Sequence, residues 1–436
     1  MRRSVLSRPA PPALRHWRVA SLLLMMVLVA CGGGSGSPDP GSAPAPTASG
    51  PGTPSAGTPS AGAPSAGTPS TGTPPGSGTP TASIGTWSVA LVDEGEAGPN
   101  ALNRSGVLAM TRIDRLLGPR ARIFDTSLHE LPGIPAFASA VNGAGEVAGQ
   151  LAQPDGTTIA MRWRALTNDP PTPIDLAPGS SSVATAINAA GVIAATITRQ
   201  GVATAARWVP GTAVQGLAAV GQATSSALFI NTRGDIAGIS TAQGSSAHAT
   251  LWRPDNSVVD LGTLGDGESA PTALNDAGQV AGESLTAEGR QHAFLWSEAA
   301  GLRDLGTLGG PTSTATGLNA SGWVVGTADT PADTTVAFLW RDNAMQPLGT
   351  LGGGSSAASA INASGLVGGN SETATGVQHA FVWTQATGMV DLNNVVSGGE
   401  PLPGVLQTVM AVADDGTVLA TAEGGLLVLL RPSSGP

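Results

Sequence analysis

Residues 260–296 read DLGTLGDGESAPTALNDAGQVAGESLTAEGRQHAFLW, and the reading of this stretch decides the fold. From Asp304 the chain says nearly the same thing, DLGTLGGPTSTATGLNASGWVVGTADTPADTTVAFLW. From Gln346 it does so again, QPLGTLGGGSSAASAINASGLVGGNSETATGVQHAFVW. A unit of about 44 residues that recurs this faithfully is a supersecondary module that cannot bury its apolar face alone. Single residues acquire roles only against that repeat.

Working outward, the clearest landmark is an aliphatic residue, Asn, two variable residues and Gly. It occurs at Asn103, Asn142, Asn188, Asn231, Asn275, Asn319 and Asn362, each with Gly three residues on. A worn copy, Val412-Ala413 to Gly416, makes eight. Asn can close an Asx-turn, and Gly accepts the left-handed conformation that ends a type I turn with a bulge. Four residues after that Gly stands another small residue: Gly149, Ala195, Gly238, Gly282, Gly326, Gly369 and Ala420, with Met110 as the exception. Gly inside a strand points to a bulge or a close backbone approach.

The second landmark is a strand ending in Trp163, Trp208, Trp252, Trp296, Trp340 or Trp383, with Phe124 and Leu430 in the outer copies. Alternation places His292, Phe294 and Trp296 on one face. Each unit then reads as four short strands: the run into Asn, the run after Gly, the Trp strand, and a strand such as Arg303-Asp304-Leu305. Four strands in this length match a β-propeller blade. Trp87 to Asp93 reads as a fourth strand with no preceding three, and Gln407 to Leu430 as three strands with no fourth. Pairing them closes a ring. The expectation is an all-β propeller of eight four-stranded blades, or seven if an outer copy is not a true blade. An open β-solenoid is the alternative and predicts no contact between the ends.

The words HAFLW, DLGTLGG and IN..G.VVG resemble the HAF family of extracellular repeats, named for the triplet at His292-Ala293-Phe294 and His379-Ala380-Phe381. The likeness runs from about Trp87 to Pro432 and is tightest from Asp260 to Trp383. It implies a secreted or surface repeat protein of bacteria and brings no catalytic residues with it.

Residues 1–30 combine a basic start with the apolar run Val19 to Ala30, the length of a signal-peptide core. The run ends Leu28-Val29-Ala30-Cys31-Gly32, which resembles a bacterial lipoprotein lipobox. That resemblance implies cleavage before Cys31, diacylglycerol on its thiol and acylation of its amine. Cys31 is the one cysteine in the chain, so no disulfide framework exists. In a Gram-negative cell, Gly32 rather than Asp implies outer-membrane delivery, facing the periplasm or the cell surface. Retention would rest on Cys31. Residues 31–84 then form a Gly/Ser/Pro/Thr/Ala tether too poor in large apolar side chains to fold. Fully extended it reaches on the order of 150 Å. Residues 85–436 hold the repeats.

Every basic residue is Arg, and five of the 20 precede the apolar run, while all 30 acids follow it. The exported part is therefore strongly acidic, which argues against nucleic acid as a partner. Without Lys or Tyr there is no Walker lysine, Schiff base or tyrosine nucleophile. No Gly-x-Ser-x-Gly or His-Glu-x-x-His occurs. His248, His292 and His379 share one repeat position, as do Asp260, Asp304 and Asp391, with Asp175 placed alongside them. Residues that follow the repeat read as packing, solvated or turn-capping groups rather than as ligands or a catalytic pair. No cofactor, metal or catalytic residue is expected, and Cys31 is the one modification site. The expected role is binding, adhesion or structure: a monomeric ring anchored to the membrane through Cys31 and holding a protein or glycan. The alternatives are a carboxylate-dependent polysaccharide hydrolase and an envelope-assembly scaffold. Two stretches that depart from the repeat, Thr111 to Arg122 and Asn393 to Gly404, are the candidates for contact loops, with simple drift of the outer units as the favoured reading.

Overall fold

In the computed structural model, residues 85–93 and 101–433 are described, apart from 115, 117, 165, 166, 168, 176, 178, 223, 243–245 and 400. The signal, Cys31 and the tether lie outside these residues.

Eight sheets succeed one another along the chain. The stretch quoted above supplies most of blade 5, which is Ser269–Leu274, Val280–Leu285, Gln291–Ser297 and Gly301–Asp304, paired antiparallel in chain order. Blades 1 to 4 start at the strands Ala101–Leu102, Ala136–Val141, Ser180–Ile187 and Thr224–Ile230, and blades 6 to 8 at Ser313–Leu318, Gly352–Ile361 and Leu406–Val412. These first strands touch one another in succession, and blade 8 touches blade 1, so they surround the axis. The last strand of each blade is outermost.

The ring closes as the ends of the repeat predicted. Trp87–Asp93 pairs antiparallel with Leu427–Pro432 and serves as the fourth strand of blade 8. The molecule is therefore an eight-bladed β-propeller; the seven-blade count and the open solenoid fall, because the two ends of the repeat region are hydrogen-bonded to each other. One feature was not foreseen. Val396–Gly399 lies parallel to Trp87–Val89 and adds a fifth strand to the closing blade. The stretch from Asn393 thus includes an edge strand of this sheet. Thr111 to Arg122 falls in the hairpin of Leu108–Asp114 with Gly118–Phe124.

Eight apolar clusters fill the eight seams between blades. Phe294 and Trp296 pack with Leu251 and Ala237 of blade 4, while Ala293 and Leu295 turn to Phe338 and Trp340 of blade 6. Strict alternation along one strand thus feeds two different seams. Each repeat Trp packs towards the preceding blade, Trp163 and Trp252 with almost no exposure.

Where the second strand carries this Gly, there is a steric cause. A Cβ on Gly326 would lie 1.9 Å from the Thr314 carbonyl oxygen, and one on Gly149 2.0 Å from that of Phe137. Opposite both, the first strand carries a register shift, between Ala315 and Gly317 and between Ala138 and Ala140. The bulge brings the backbone in so close that the position opposite stays small.

Candidate binding face

The Asn–Gly turns and the turns joining third to fourth strands share one face of the ring. Within the turn at Asn319, as at Asn103, Asn142 and Asn188, the side-chain Oδ1 accepts from two N–H groups, here those of Ser321 and Trp323 at 3.0 Å. The turn Gly sits at positive φ, 79° at Gly322. What the sequence did not reveal is where the other end of the amide goes. Asn103 Nδ2 donates to the carbonyl of Asn142 at 2.8 Å, Asn142 to Asn188, Asn188 to Asn231, and Asn231 to Asn275. Asn275 then donates to Asn319, Asn319 to Asn362, and Asn362 to the carbonyl of Ala413 at 3.0 Å. One belt of buried amides circles the axis. Ala413 cannot continue it, and there the Asp414 N–H donates instead to the Arg104 carbonyl at 2.9 Å.

A second belt runs nearer the opposite face. Ser269 Oγ accepts from the Ala249 N–H of the preceding blade, and Ser313 does so from Ala293, both at 2.9 Å. Ser313 then donates to the Gly306 carbonyl at 2.6 Å. The alanine of the HAF triplet is therefore the residue whose N–H the next blade captures.

The recurring histidines and aspartates meet. His248 Nδ1 lies 3.0 Å from Asp260 Oδ2, His292 2.8 Å from Asp304, and His379 2.7 Å from Asp391. The spacing is 12 residues each time. The acids also cap turns, as where Asp304 accepts from the Gly306 N–H at 2.7 Å. Blade 1 replaces the pair with Arg120 and Glu130 at 2.6 Å. Blade 6 has Val336 and Pro347 there and so loses both members together. The constant spacing and this joint loss were the available signal. Asp175 does not belong to the set. In blade 2 it is Ile174 that donates to Ala160, as Leu305 donates to Ala293, so Asp175 stands two places further along. It pairs with Arg199 at 3.0 Å instead.

Among the described residues, no group of three or more His, Cys, Asp or Glu side chains is arranged to hold a metal ion. Among the same residues no helix is long and apolar enough to cross a membrane.

The Asn-turn face carries a cleft of about 270 Å³ between blades 5 and 6. Trp323, four residues after Asn319, replaces the Val, Leu, Glu, Asp, Gln or Thr of the other units and forms part of its wall. Arg341 sits over the Trp323 ring at 5.1 Å, and Arg303 over the Trp340 ring at 5.2 Å. Gln279, Ser297, Ser321 and Asn343 add to the polar lining, and Asp342 is its one carboxylate. The turn from the third to the fourth strand of blade 6 has two residues, Asp342 and Asn343, both at positive φ, where blade 5 has a longer one.

No family model matches the chain, and no curated protein matches it. Solved structures that resemble it include TolB from Acinetobacter baumannii, at 15% identity and a TM-score of 0.35 over 48% of this chain. The chain spans only 53% of that protein. The β-propeller domain of the Trilobed protease from Pyrococcus furiosus is matched at 9% identity and a TM-score of 0.47, over 71% of this chain and 100% of that one. The WD40 propeller domain of Doa1 is matched at 11% identity and a TM-score of 0.40, over 80% and 98%. The class of this molecule, a closed eight-bladed propeller, rests on its own strand order; no activity is transferred from these structures.

Proposed function

We propose that this chain is a lipid-anchored, exported binding ring of the HAF-repeat kind, without catalysis. Cys31 would hold it in the outer membrane, and residues 32–84 would act as a spacer. The observation that carries the binding role is the cleft of blades 5 and 6. There a repeat-breaking Trp323 and two arginines stacked on indole rings converge on a scaffold otherwise governed by the repeat. Stacked guanidinium groups are pre-positioned for recognition, and a rigid sheet framework holds them. The described chain enters the ring on this same face, where Trp87 Nε1 donates to the Gly416 carbonyl at 2.8 Å.

The test is protease accessibility of the ring on intact and permeabilised cells, with Cys31→Ser as the control. Release of the Cys31→Ser protein from the membrane fraction is expected. Unchanged fractionation would overturn the anchor. Digestion on intact cells places the ring at the surface, and protection until permeabilisation places it in the periplasm. A purified ring that hydrolyses envelope or matrix polysaccharides would overturn the non-catalytic reading.

A further inference from the structure

We propose that the cleft between blades 5 and 6 binds the carboxylate of an acidic sugar, a uronic-acid residue in a glycan. This deepens the binding reading above and rests on it. Three departures from the repeat meet here: Arg303 in the outer strand of blade 5, Trp323 after the Asn turn of blade 6, and the two-residue turn Asp342-Asn343. At the same register blades 1 to 4, 6 and 7 hold His129, Thr172, Gln215, Val259, Gln346 and Val390. Departures that gather at one place on a repeat scaffold mark that place as different in kind from the other seams.

The chemistry of the lining selects the ligand. Arg303 is exposed, and Arg341 is partly covered by its stacking on Trp323. Arg303 Nη1 bonds the Asn343 side chain and Arg341 Nη2 bonds Gln385 Oε1 at 2.7 Å. Each guanidinium carries five donors, so these bonds orient the groups and leave others to offer. A planar fork fixed against an indole is matched to a carboxylate, which it can engage with two parallel bonds. Asp342 opposes an anion only weakly, because its side chain is 88% exposed and its oxygen stands 3.9 Å from Arg341 Nε. Gln279, Ser321 and Asn343 supply the amides and hydroxyl that sugar hydroxyls require.

The experiment is calorimetric titration of the full-length chain in detergent with trigalacturonate. Neutral trigalactose, inorganic phosphate and a tripeptide with a free carboxylate serve as comparison probes. Arg303→Gln with Arg341→Gln is the test variant, Trp323→Leu the second, and Arg290→Gln on the opposite face the control. Thermal melts verify that each is folded. The expected result is saturable binding of trigalacturonate that weakens at least tenfold in the double variant, weakens in Trp323→Leu, and is unchanged in Arg290→Gln. Equal binding of trigalactose, insensitive to the double variant, would overturn this inference while leaving a glycan-binding ring. Equal binding of phosphate or of the tripeptide would overturn the sugar assignment. No binding of any probe would overturn the inference, and the accessibility test of the anchored ring would still stand.

Discussion

Arg104 Nη1, in blade 1, lies 2.7 Å from Asp276 Oδ2, in blade 5. In a ring of eight these blades face each other, so one ion pair spans the axis at the Asn-turn face. Asp414 of blade 8 stands 3.9 Å from Arg104 Nε. Burial alone would raise the Asp276 pKa. The Thr232 N–H and the Arg104 guanidinium more than offset it and hold the pKa below its usual 3.8. The pair is well exposed on the Arg side, so water screens it. Arg104→Gln is expected to cost less than ~1 kcal/mol. A carboxylate with a depressed folded pKa stabilises above its unfolded pKa and loses that contribution as pH falls through the folded value. The cost in thermal melts should therefore be present at neutral pH, shrink in high salt, and vanish in strong acid. A loss of several kcal/mol would mean the pair is a structural keystone rather than a surface bridge.

The amide belt behaves differently because it is buried. Asn231 is 3% exposed, and its Oδ1 accepts from the Asp235 N–H at 2.9 Å while its Nδ2 serves Asn275. Asn231→Ala leaves the Asp235 N–H without its partner and takes one of two donors from the Asn275 carbonyl, which keeps the Gly278 N–H, and is expected to cost about 1–3 kcal/mol. The reverse change, Ala413→Asn, has less to gain, because the Asp414 N–H already ties that seam to Arg104. A change of about 1 kcal/mol or less is expected there. Denaturant midpoints of the two variants check this. Equal and opposite effects would mean that the backbone bond at Asp414 contributes nothing to closure.

Much of this architecture was legible in the sequence because a repeat is read many times over. The turn at Asn275, the bulge opposite Gly282, the alternation of Phe294 with Trp296 and the ring-closing role of Trp87 to Asp93 are all local patterns. The belts were not legible, because the second partner of each Asn or Ser lies in the next blade, and strand spacing does not fix blade rotation. Asp175 misled because an Asp-Leu pair recurs there by chance, while the hydrogen bond from Ile174 sets the true register. Val396–Gly399 was missed because two glycines in four residues carry no strand signal, and pairing with Trp87 overrides propensity. The cleft was not legible, because a single Trp323 off the Trp register does not show which residues of the neighbouring blade stand beside it.

Glu283 gives a prediction with a pH sign. It lies on the second strand of blade 5, opposite Ala270 and Ala293, and bonds the Gln291 amide. Burial pushes its pKa above 4.5, and the Gln291 bond offsets this only in part. A carboxyl with a raised folded pKa binds more protons folded than unfolded between the two values. Stability therefore falls as pH rises through that window, and the penalty is complete above the folded pKa. Glu283→Gln keeps the shape and removes the penalty. Its melting temperature should exceed the parent's at pH near 8 and equal it at about pH 4. A variant less stable than its parent at the higher pH would show that the carboxylate is held by favourable bonds.

The closing blade differs from the other seven in being assembled from both ends of the repeat region, and this governs how the ring opens. Trp87 is 4% exposed, packs among Leu392, Leu406 and Leu430, and donates Nε1–H to Gly416. Trp87→Ala removes a large buried side chain and leaves the Gly416 carbonyl short of a partner, a loss of about 3–5 kcal/mol. The effect should be local before it is global, since each blade otherwise closes on neighbours made from contiguous chain. Hydrogen exchange of Leu427–Pro432 and Val396–Gly399 should accelerate far more than that of Ile236–Thr241 in blade 4, on the opposite side of the ring. Trp163→Ala, at an ordinary seam, should destabilise comparably without that asymmetry. Uniform acceleration around the ring in the Trp87 variant would mean that the eight seams open as one cooperative unit and that the paired ends hold no special place in it.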